Sequence, residues 1–209
     1  MSLPLDPAII APFLMAMVLV ELTPGPNMGW LALVTLARGR TAGLAAVAGI
    51  TVGLAAWMTA ALLGLGRFVL AYPAVHEVIR WAGVGFLLWL AWEAWRGDGT
   101  ADQAEPEATR RALFLRGMVG NLLNPKAAVF YVALLPTFIR PGYAAPLTQA
   151  LILGGLHLTI AVVVHGLVVF SAAGAGCALT ERMEGPRARA AMAAGLVLIA
   201  VWMAWQTQR

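Results

Sequence analysis

The sequence predicts an all-α integral membrane protein, in which six transmembrane helices form two inverted repeats of three helices each. Its residues are 61% hydrophobic and only 11% charged, a balance that is not typical of soluble domains. A membrane-spanning helix needs about 20 apolar residues, and apolar stretches of that length alternate with polar connections along the 209 residues. The first and fourth stretches are interrupted near their middle by proline, which predicts that helices 1 and 4 are broken.

The same composition excludes several classes of protein. The formal net charge is +4, but the arginines are scattered over the connections rather than gathered in a stripe, so we expect no nucleic-acid partner. The single cysteine, Cys177, cannot form a disulfide framework within one chain. Asp6 precedes the first apolar stretch and no basic region does, so we expect a retained span rather than a cleaved signal peptide. No cofactor and no resident metal are expected.

The first apolar stretch, at about residues 7–35, contains a polar interruption. Its residues are Glu21, Leu22, Thr23, Pro24, Gly25, Pro26 and Asn27. A proline inside a helix lacks an N–H and clashes with the carbonyl four residues earlier, so we expect carbonyls freed on the preceding turn. In hydrocarbon such a break is tolerated only where protein or a water-filled cavity satisfies these groups. Ionisable groups at this depth are usually functional, which makes Glu21 a candidate site residue; a purely structural kink is the alternative.

The second and third spans are predicted at residues 42–65 and 73–95, after the basic connection Arg38-Gly39-Arg40. Gly49 and Gly53 form a GxxxG pair in the second span. Small residues at this spacing let two helices approach closely, so we interpret the pair as a packing surface. Glu93, which lies among tryptophans at the end of the third span, is interpreted as an interfacial charge.

Residues 96–111 break the apolar pattern with seven charged side chains and several glycines and alanines, which predicts a flexible connector. We therefore divide a single transmembrane domain into a first repeat at residues 1–97, a cytoplasmic linker at 98–111 and a second repeat at 112–209.

The second half is predicted to span the membrane at about residues 113–139, 147–173 and 190–205. Its first span contains the second interruption, which is Asn121, Leu122, Leu123, Asn124, Pro125 and Lys126. Pro125 is expected to free the carbonyl of Asn121. Lys126 lies near the middle of this span, where it is either a functional or ion-paired group or a side chain that snorkels to the interface.

The two interruptions occupy matching positions, because Pro24 lies about thirteen residues into its apolar stretch and Pro125 about twelve. Broken helices at corresponding places in two halves are the best sequence indication of a transporter's binding site. Since each half has an odd number of spans, the two halves must face opposite ways, which makes the repeat an inverted one.

The arginines predict the orientation. The connections after the first, third and fifth spans contain nine arginines, and the opposite side contains four. We therefore expect the side with nine arginines in the cytoplasm and both termini outside.

The residue types around the two breaks suit a zwitterion. A half-helix that begins after a break offers free N–H groups and a partial positive charge, to which Lys126 would add a cation. The half-helix before a break offers bare carbonyls that suit an ammonium group, to which Glu21 would add a carboxylate. An amino acid is the simplest solute that fits, and the predicted binding residues are Glu21, Thr23, Pro24, Gly25, Pro26, Asn27, Asn121, Asn124, Pro125 and Lys126.

His157 and His165 lie eight residues apart, near one face of the fifth span. Together with Glu21 they are candidates for a proton relay, and hydrogen bonding between helices is the alternative. Glu21 also has two interpretations, either a group that exchanges a proton for substrate or a static partner of Lys126.

The interruptions resemble the signature motifs of the LysE/RhtB family of amino-acid exporters. The segments from Arg38 to Gly43 and from Leu134 to Phe138 are also similar to the family pattern, so the resemblance covers essentially the whole chain. It implies six spans in the bacterial inner membrane and outward transport of amino acids or their derivatives, driven by the proton gradient. It also implies that the two motifs meet at the translocation site, often in a dimer.

The identity of the substrate stays open. Thr137 stands where many members have glutamine, and the wider family spans basic, neutral and sulfur-containing amino acids, with metal exporters as relatives. A divalent-metal exporter that uses Glu21, His157 and His165 is the alternative function, although metal pathways usually need several carboxylates or thiolates. An enzyme is not expected, because no HExxH, GxSxG or cysteine-pair motif is present.

Overall fold

The computed structural model describes residues 3–23, 25–64, 72–96, 106–179 and 186–206, which contain seven α-helices and no β-strand. The prediction of an all-helical protein is confirmed for these residues. A π-helical turn (Phe130–Leu134) and a 3-10 turn (Leu135–Phe138) follow the fifth helix. The helices are α1 (Pro7–Leu22), α2 (Pro26–Leu62), α3 (Pro73–Arg96), α4 (Pro106–Leu122), α5 (Pro125–Val129), α6 (Pro146–Leu179) and α7 (Pro186–Gln206).

Among the described residues, two helices contain a stretch that is long and apolar enough to cross a membrane, namely α2 and the part Pro146–Ala175 of α6. The pair Thr109–Leu122 and Pro125–Phe138 also qualifies when it is counted as one span, with a bend of 55° between its halves. Helix α1 and the part Ala190–Trp202 of α7 are apolar but shorter. These are the helices of a multi-pass membrane protein.

Helix α2 folds back on itself. Gly39 has a φ of 78° and a ψ of 179°, which is not helical. A Cβ added to Gly43 would lie 2.3 Å from the Oγ1 atom of Thr35, although residues eight positions apart are about 12 Å apart along a straight helix. The predicted basic connection is therefore a tight turn at Gly39, where glycine alone adopts a positive φ without strain.

The second half of α2 packs directly on α4. A Cβ at Gly49 would lie 1.9 Å from the carbonyl oxygen of Phe114, and a Cβ at Gly117 would lie 2.4 Å from the carbonyl oxygen of Ala46. Only glycine allows the two backbones to approach so closely. Gly53 makes a similar approach to Met118 and Asn121. The GxxxG pair is thus a packing surface, and the two helices run parallel.

The same half of α2 runs antiparallel to α6. A Cβ at Gly154 would lie 2.2 Å from the sulfur of Met58, whereas a Cβ at Gly43 would lie 2.9 Å from a methyl carbon of Val169. These are the second spans of the two predicted halves. Opposite directions are what an inverted repeat requires of corresponding helices, although the repeat itself stays a prediction.

The predicted flexible connector is wrong in its last part, because α4 begins at Pro106 rather than near residue 113. Proline is favoured at the first helical position, and the alanines, glutamate and arginines that follow are good helix formers. The apolar pattern gave the start of the apolar residues and not the start of the helix. The remainder of the connector, residues 97–105, lies outside the described residues.

Candidate functional site

The first break separates α1 from α2. Helix α1 ends with the N–H of Thr23 bonded to the carbonyl of Leu19 at 3.0 Å. Helix α2 begins with Pro26 in its first turn and Gly25 at the N-cap, which supplies no side-chain cap. The N–H groups of the first turn of α2 therefore lack the side-chain acceptor that usually satisfies them. Pro24 lies outside the described residues.

The second break is capped by its own residues. The Oδ1 atom of Asn124 accepts a hydrogen bond from the N–H of Lys126 at 3.0 Å, and Pro125 occupies the first turn of α5. The carbonyl of Asn121, which was predicted to be free, accepts from the N–H of Asn124 at 3.0 Å. Asn124 thus has a structural role as an N-cap.

Each break lies near the end of the half-helix that precedes the other break. The ammonium group of Lys126 donates to the carbonyl of Val20 and, at 2.8 Å, to the carbonyl of Thr23, both at the end of α1. Asn27 follows Pro26 at the first break as Lys126 follows Pro125 at the second. Its Oδ1 atom lies 3.7 Å from a Cβ placed on Gly120 of α4. The predicted meeting of the two interruptions is therefore seen in the geometry.

Glu21 is placed inside by the helical periodicity of α1. The buried residues of this helix are Ile9, Phe13, Met17 and Glu21, which are four residues apart and share one face. Helix α6 has a similar buried face, formed by Leu153, His157, Ala161, His165 and Val169. The two faces bring Glu21 and the histidines together.

The carboxylate of Glu21 is the centre of a buried chain of polar groups. Its Oε1 atom accepts a hydrogen bond from Nε2 of His157 at 2.9 Å, and its Oε2 atom lies 3.6 Å from Nε2 of His165. Nδ1 of His157 accepts from the hydroxyl of Tyr131 at 2.9 Å, if a neutral His157 carries its proton on Nε2. Lys126 is bonded to carbonyls instead, so the static pair of Glu21 with Lys126 is not the arrangement found.

Tyr131 is the member of this chain that the sequence did not indicate. It lies five residues after Lys126 and is fully buried. Pro136 has no N–H for the carbonyl of Val132, and the helix that contains both residues is π-helical and then 3-10. A regular helical periodicity therefore does not give the direction of Tyr131. A π-helical turn inside a helix is frequent at functional sites, but it has no simple sequence signal.

A cavity of about 430 Å³, which includes space open to the surroundings, lies where the breaks meet. Two polar atoms of its lining are buried and have no hydrogen-bond partner in the described part of the chain, Oδ1 of Asn121 and Nδ1 of His165. Pro26 and Pro125 are buried but are not in its lining. The predicted site residues that line it are Glu21, Thr23, Gly25, Asn27, Asn121, Asn124, Lys126, His157 and His165.

This cavity offers donors and acceptors but no metal cage. The uncapped start of α2 and the ammonium group of Lys126 are donors, and Lys126 lies 3.8 Å from a Cβ placed on Gly25 of that start. The Oδ1 atom of Asn121 is an acceptor. Within the described ranges, no group of three or more His, Cys, Asp or Glu residues could hold a metal ion.

A family model and several similar proteins indicate the same family for this chain. Residues 18–206 match the family model described as LysE type translocator. The chain is 33% identical to the homoserine/homoserine lactone efflux protein of Salmonella typhimurium over 73% of its own length and 74% of that protein. It is 32% identical to the leucine efflux protein of Klebsiella pneumoniae, over 64% of this chain and 65% of that protein. It is 29% identical to the threonine efflux protein of Escherichia coli, over 60% of this chain and 64% of that protein. No solved structure matches.

Proposed function

Since this chain belongs to the LysE type translocator family, we propose that it is a secondary active exporter of amino acids or amino-acid derivatives. It would act in the bacterial inner membrane and couple export to the proton gradient. The observation that carries this proposal is the crossing of the two breaks at one cavity, where Lys126 from the second break reaches the carbonyls that end the first half-helix. Broken helices that supply ends of both polarities are the usual way to bind a small charged solute in mid-membrane.

The proposed substrate is a neutral amino acid or a close derivative. Its carboxylate would bind at the uncapped start of α2, beside Lys126, where N–H groups and a partial positive charge favour an anion. Its ammonium group would bind the unpartnered Oδ1 atom of Asn121. The names of the relatives, which mention homoserine, leucine and threonine, support a solute of this size and charge.

Proton coupling would use the buried chain of polar groups, which consists of Tyr131, His157, Glu21 and His165. The groups form continuous contacts of 2.9 to 3.6 Å, and three of them are histidine or carboxylate groups that can exchange protons. Glu21 would take up a proton when the ammonium group of the substrate leaves the cavity. This is a role that requires titration, in contrast to a static hydrogen-bonded link between α1 and α6.

The architecture proposed for this function is two inverted repeats of three spans, at residues 1–97 and 112–209, with the side of the basic connections in the cytoplasm. The antiparallel packing of the second half of α2 against α6 supports the repeat. So do the matching positions of Asn27 and Lys126, each near the end of the opposite half-helix. Assembly as a homodimer rests on the family resemblance alone.

The metal-exporter alternative has less support. The one carboxylate in the cavity is bonded to His157 and close to His165 rather than directed into free space. The named relatives in the comparison are amino-acid efflux proteins.

Efflux from loaded cells tests the proposed function. Cells that make the protein, and cells that make an equal amount of the Lys126→Met variant, are loaded with labelled homoserine, threonine or leucine, or with a divalent metal salt. We expect faster loss of at least one amino acid with the native protein and little gain with the variant. Faster loss of the metal, without loss of any amino acid, would contradict the proposal.

A further inference from the structure

A second cavity lies on the other side of the two break asparagines. Its empty volume is about 310 Å³, a figure that includes space open to the surroundings, and it lies between the first half of α2, α3 and α4. Its walls are mostly apolar, with Trp30, Phe86, Leu87 and Leu90 among them, and Arg116 is the charged residue in its lining. Asn27 and Asn124 line both this cavity and the cavity at the breaks. The two spaces are therefore neighbours that the asparagines separate.

The second cavity lies toward the side of the basic connections. Arg116 precedes Asn124 by eight residues, which is about 12 Å along α4, and α4 comes from the connection that carries Arg110 and Arg111. With the proposed orientation, this cavity is between the cytoplasm and the substrate site. A solute that leaves the cell would approach Lys126 from this side.

Arg116 is held in place but keeps binding capacity. Its Nη2 atom donates to Oε1 of Glu93 at 2.6 Å, and its guanidinium lies 5.5 Å from the ring centre of Trp89. A guanidinium has five N–H donors, and this is its one side-chain hydrogen bond in the described part of the chain. Glu93 also keeps a buried Oε2 atom without a partner there. Glu93 is thus the partner of Arg116 and not simply an interfacial charge.

We propose that the second cavity is an entry subsite for the amino acid, where Arg116 binds the α-carboxylate before the solute moves past Asn27 and Asn124. Arginine suits this role because its planar donors match a carboxylate with two parallel hydrogen bonds. The apolar walls would receive the side chain of the solute. Glu93 fixes the guanidinium and competes with the solute for it. The inference rests on the proposed export of amino acids and adds a second site to it.

Transport by inside-out membrane vesicles tests the subsite, because their outer surface is the proposed cytoplasmic face. For Arg116→Gln we expect the apparent KM of amino-acid uptake to rise by about ten- to a hundred-fold, the effect of one charged hydrogen bond. Arg116→Lys should lie between the native protein and Arg116→Gln. Glu93→Gln removes the competing charge, so its apparent KM should be no higher than that of the native protein. Rates are compared per amount of inserted protein.

A purely structural ion pair would behave differently. It predicts that Glu93→Gln and Arg116→Gln lower the maximal rate together and leave the apparent KM at the native value, and this result would overturn the subsite. An equal rise in the KM of both variants would also overturn it. If native vesicles do not transport any amino acid, the proposed function fails; if they do and Arg116→Gln keeps the native KM, only the subsite fails.

Discussion

At the scale of single residues, Glu21 decides whether the buried polar chain moves protons or only joins helices. Glu21→Gln keeps the shape and the hydrogen bond to His157 but cannot titrate. In proteoliposomes we expect this variant to exchange labelled for unlabelled amino acid at a rate near that of the native protein. It should not accumulate amino acid under an imposed pH gradient. Accumulation at the native rate would exclude Glu21 as the coupling group.

Lys126 donates to the carbonyls at the end of α1. It is also proposed to provide the cation that binds a substrate carboxylate. Lys126→Met keeps the length of the side chain and removes its charge. We expect binding of the amino acid to weaken by about 1.5–3 kcal/mol, as measured by calorimetry on the purified protein. A decarboxylated analogue of the substrate should bind both proteins with similar affinity. An equal loss for both ligands would mean that Lys126 only caps α1.

The sequence was sufficient to predict the positions and partners of some of these residues and not of others. His157 and His165 were predicted near one face of a helix because eight residues are two steps of four, and residues four apart are neighbours on a helix surface. The partners of Lys126 could not be predicted, because a long flexible side chain can reach carbonyls, a carboxylate or an interface from the same position. Tyr131 was missed because the π-helical turn changes the direction of its side chain.

At the scale of helices, the first break is expected to be needed for transport and not for insertion. Replacing Pro24 and Pro26 by alanine should restore backbone hydrogen bonds and make the segment a more regular helix. The double variant should insert into the membrane in normal amounts, measured by quantitative blotting of membranes, and lose efflux of labelled amino acid. Full efflux activity would show that the break is not required.

The contact of α2 with α4 depends on Gly49. A Cβ there would meet the carbonyl of Phe114, so Gly49→Ala should lower the free energy of unfolding by about 1–3 kcal/mol. Gly155→Ala is a matched control, since a Cβ at Gly155 meets nothing within 4 Å and alanine favours a helix by about 1 kcal/mol. Thermal unfolding in detergent should therefore give a lower Tm for the first variant and an equal or higher Tm for the second. The same Tm change in both would contradict the close packing.

Helix boundaries show what an apolar pattern measures. The predicted apolar stretches fall mainly on helical residues, but α4 extends into the charged connector and α6 continues to Leu179, beyond the predicted end near residue 173. Helix formation depends on backbone propensity and capping, whereas the apolar pattern records contact with lipid. Polar helix ends outside the membrane are therefore invisible to it.

At the scale of the whole molecule, the central observation is that two distant motifs form one cavity. Residues 21–27 and 121–126 are about a hundred positions apart, and the prediction that they meet came from matching breaks and family resemblance. The sequence could not supply the second cavity, because that space arises from the packing of α3 beside α2 and α4. Arg116, the charged residue of its lining, was interpreted only as one of the arginines that predict the orientation.

The most direct test of the proposed binding site is whether substrate protects a cysteine in the cavity from alkylation. Cys177 is the only cysteine, so a Cys177→Ser background allows a single reporter at Met28→Cys, in the lining of the cavity at the breaks. Leu63→Cys, at an exposed position beyond the end of α2, is the control. In membranes that transport the amino acid, we measure the rate of alkylation by a small maleimide with and without saturating substrate. Substrate should slow the reaction at Met28→Cys several-fold and leave Leu63→Cys unchanged; equal rates at Met28→Cys with and without substrate would contradict the proposed site.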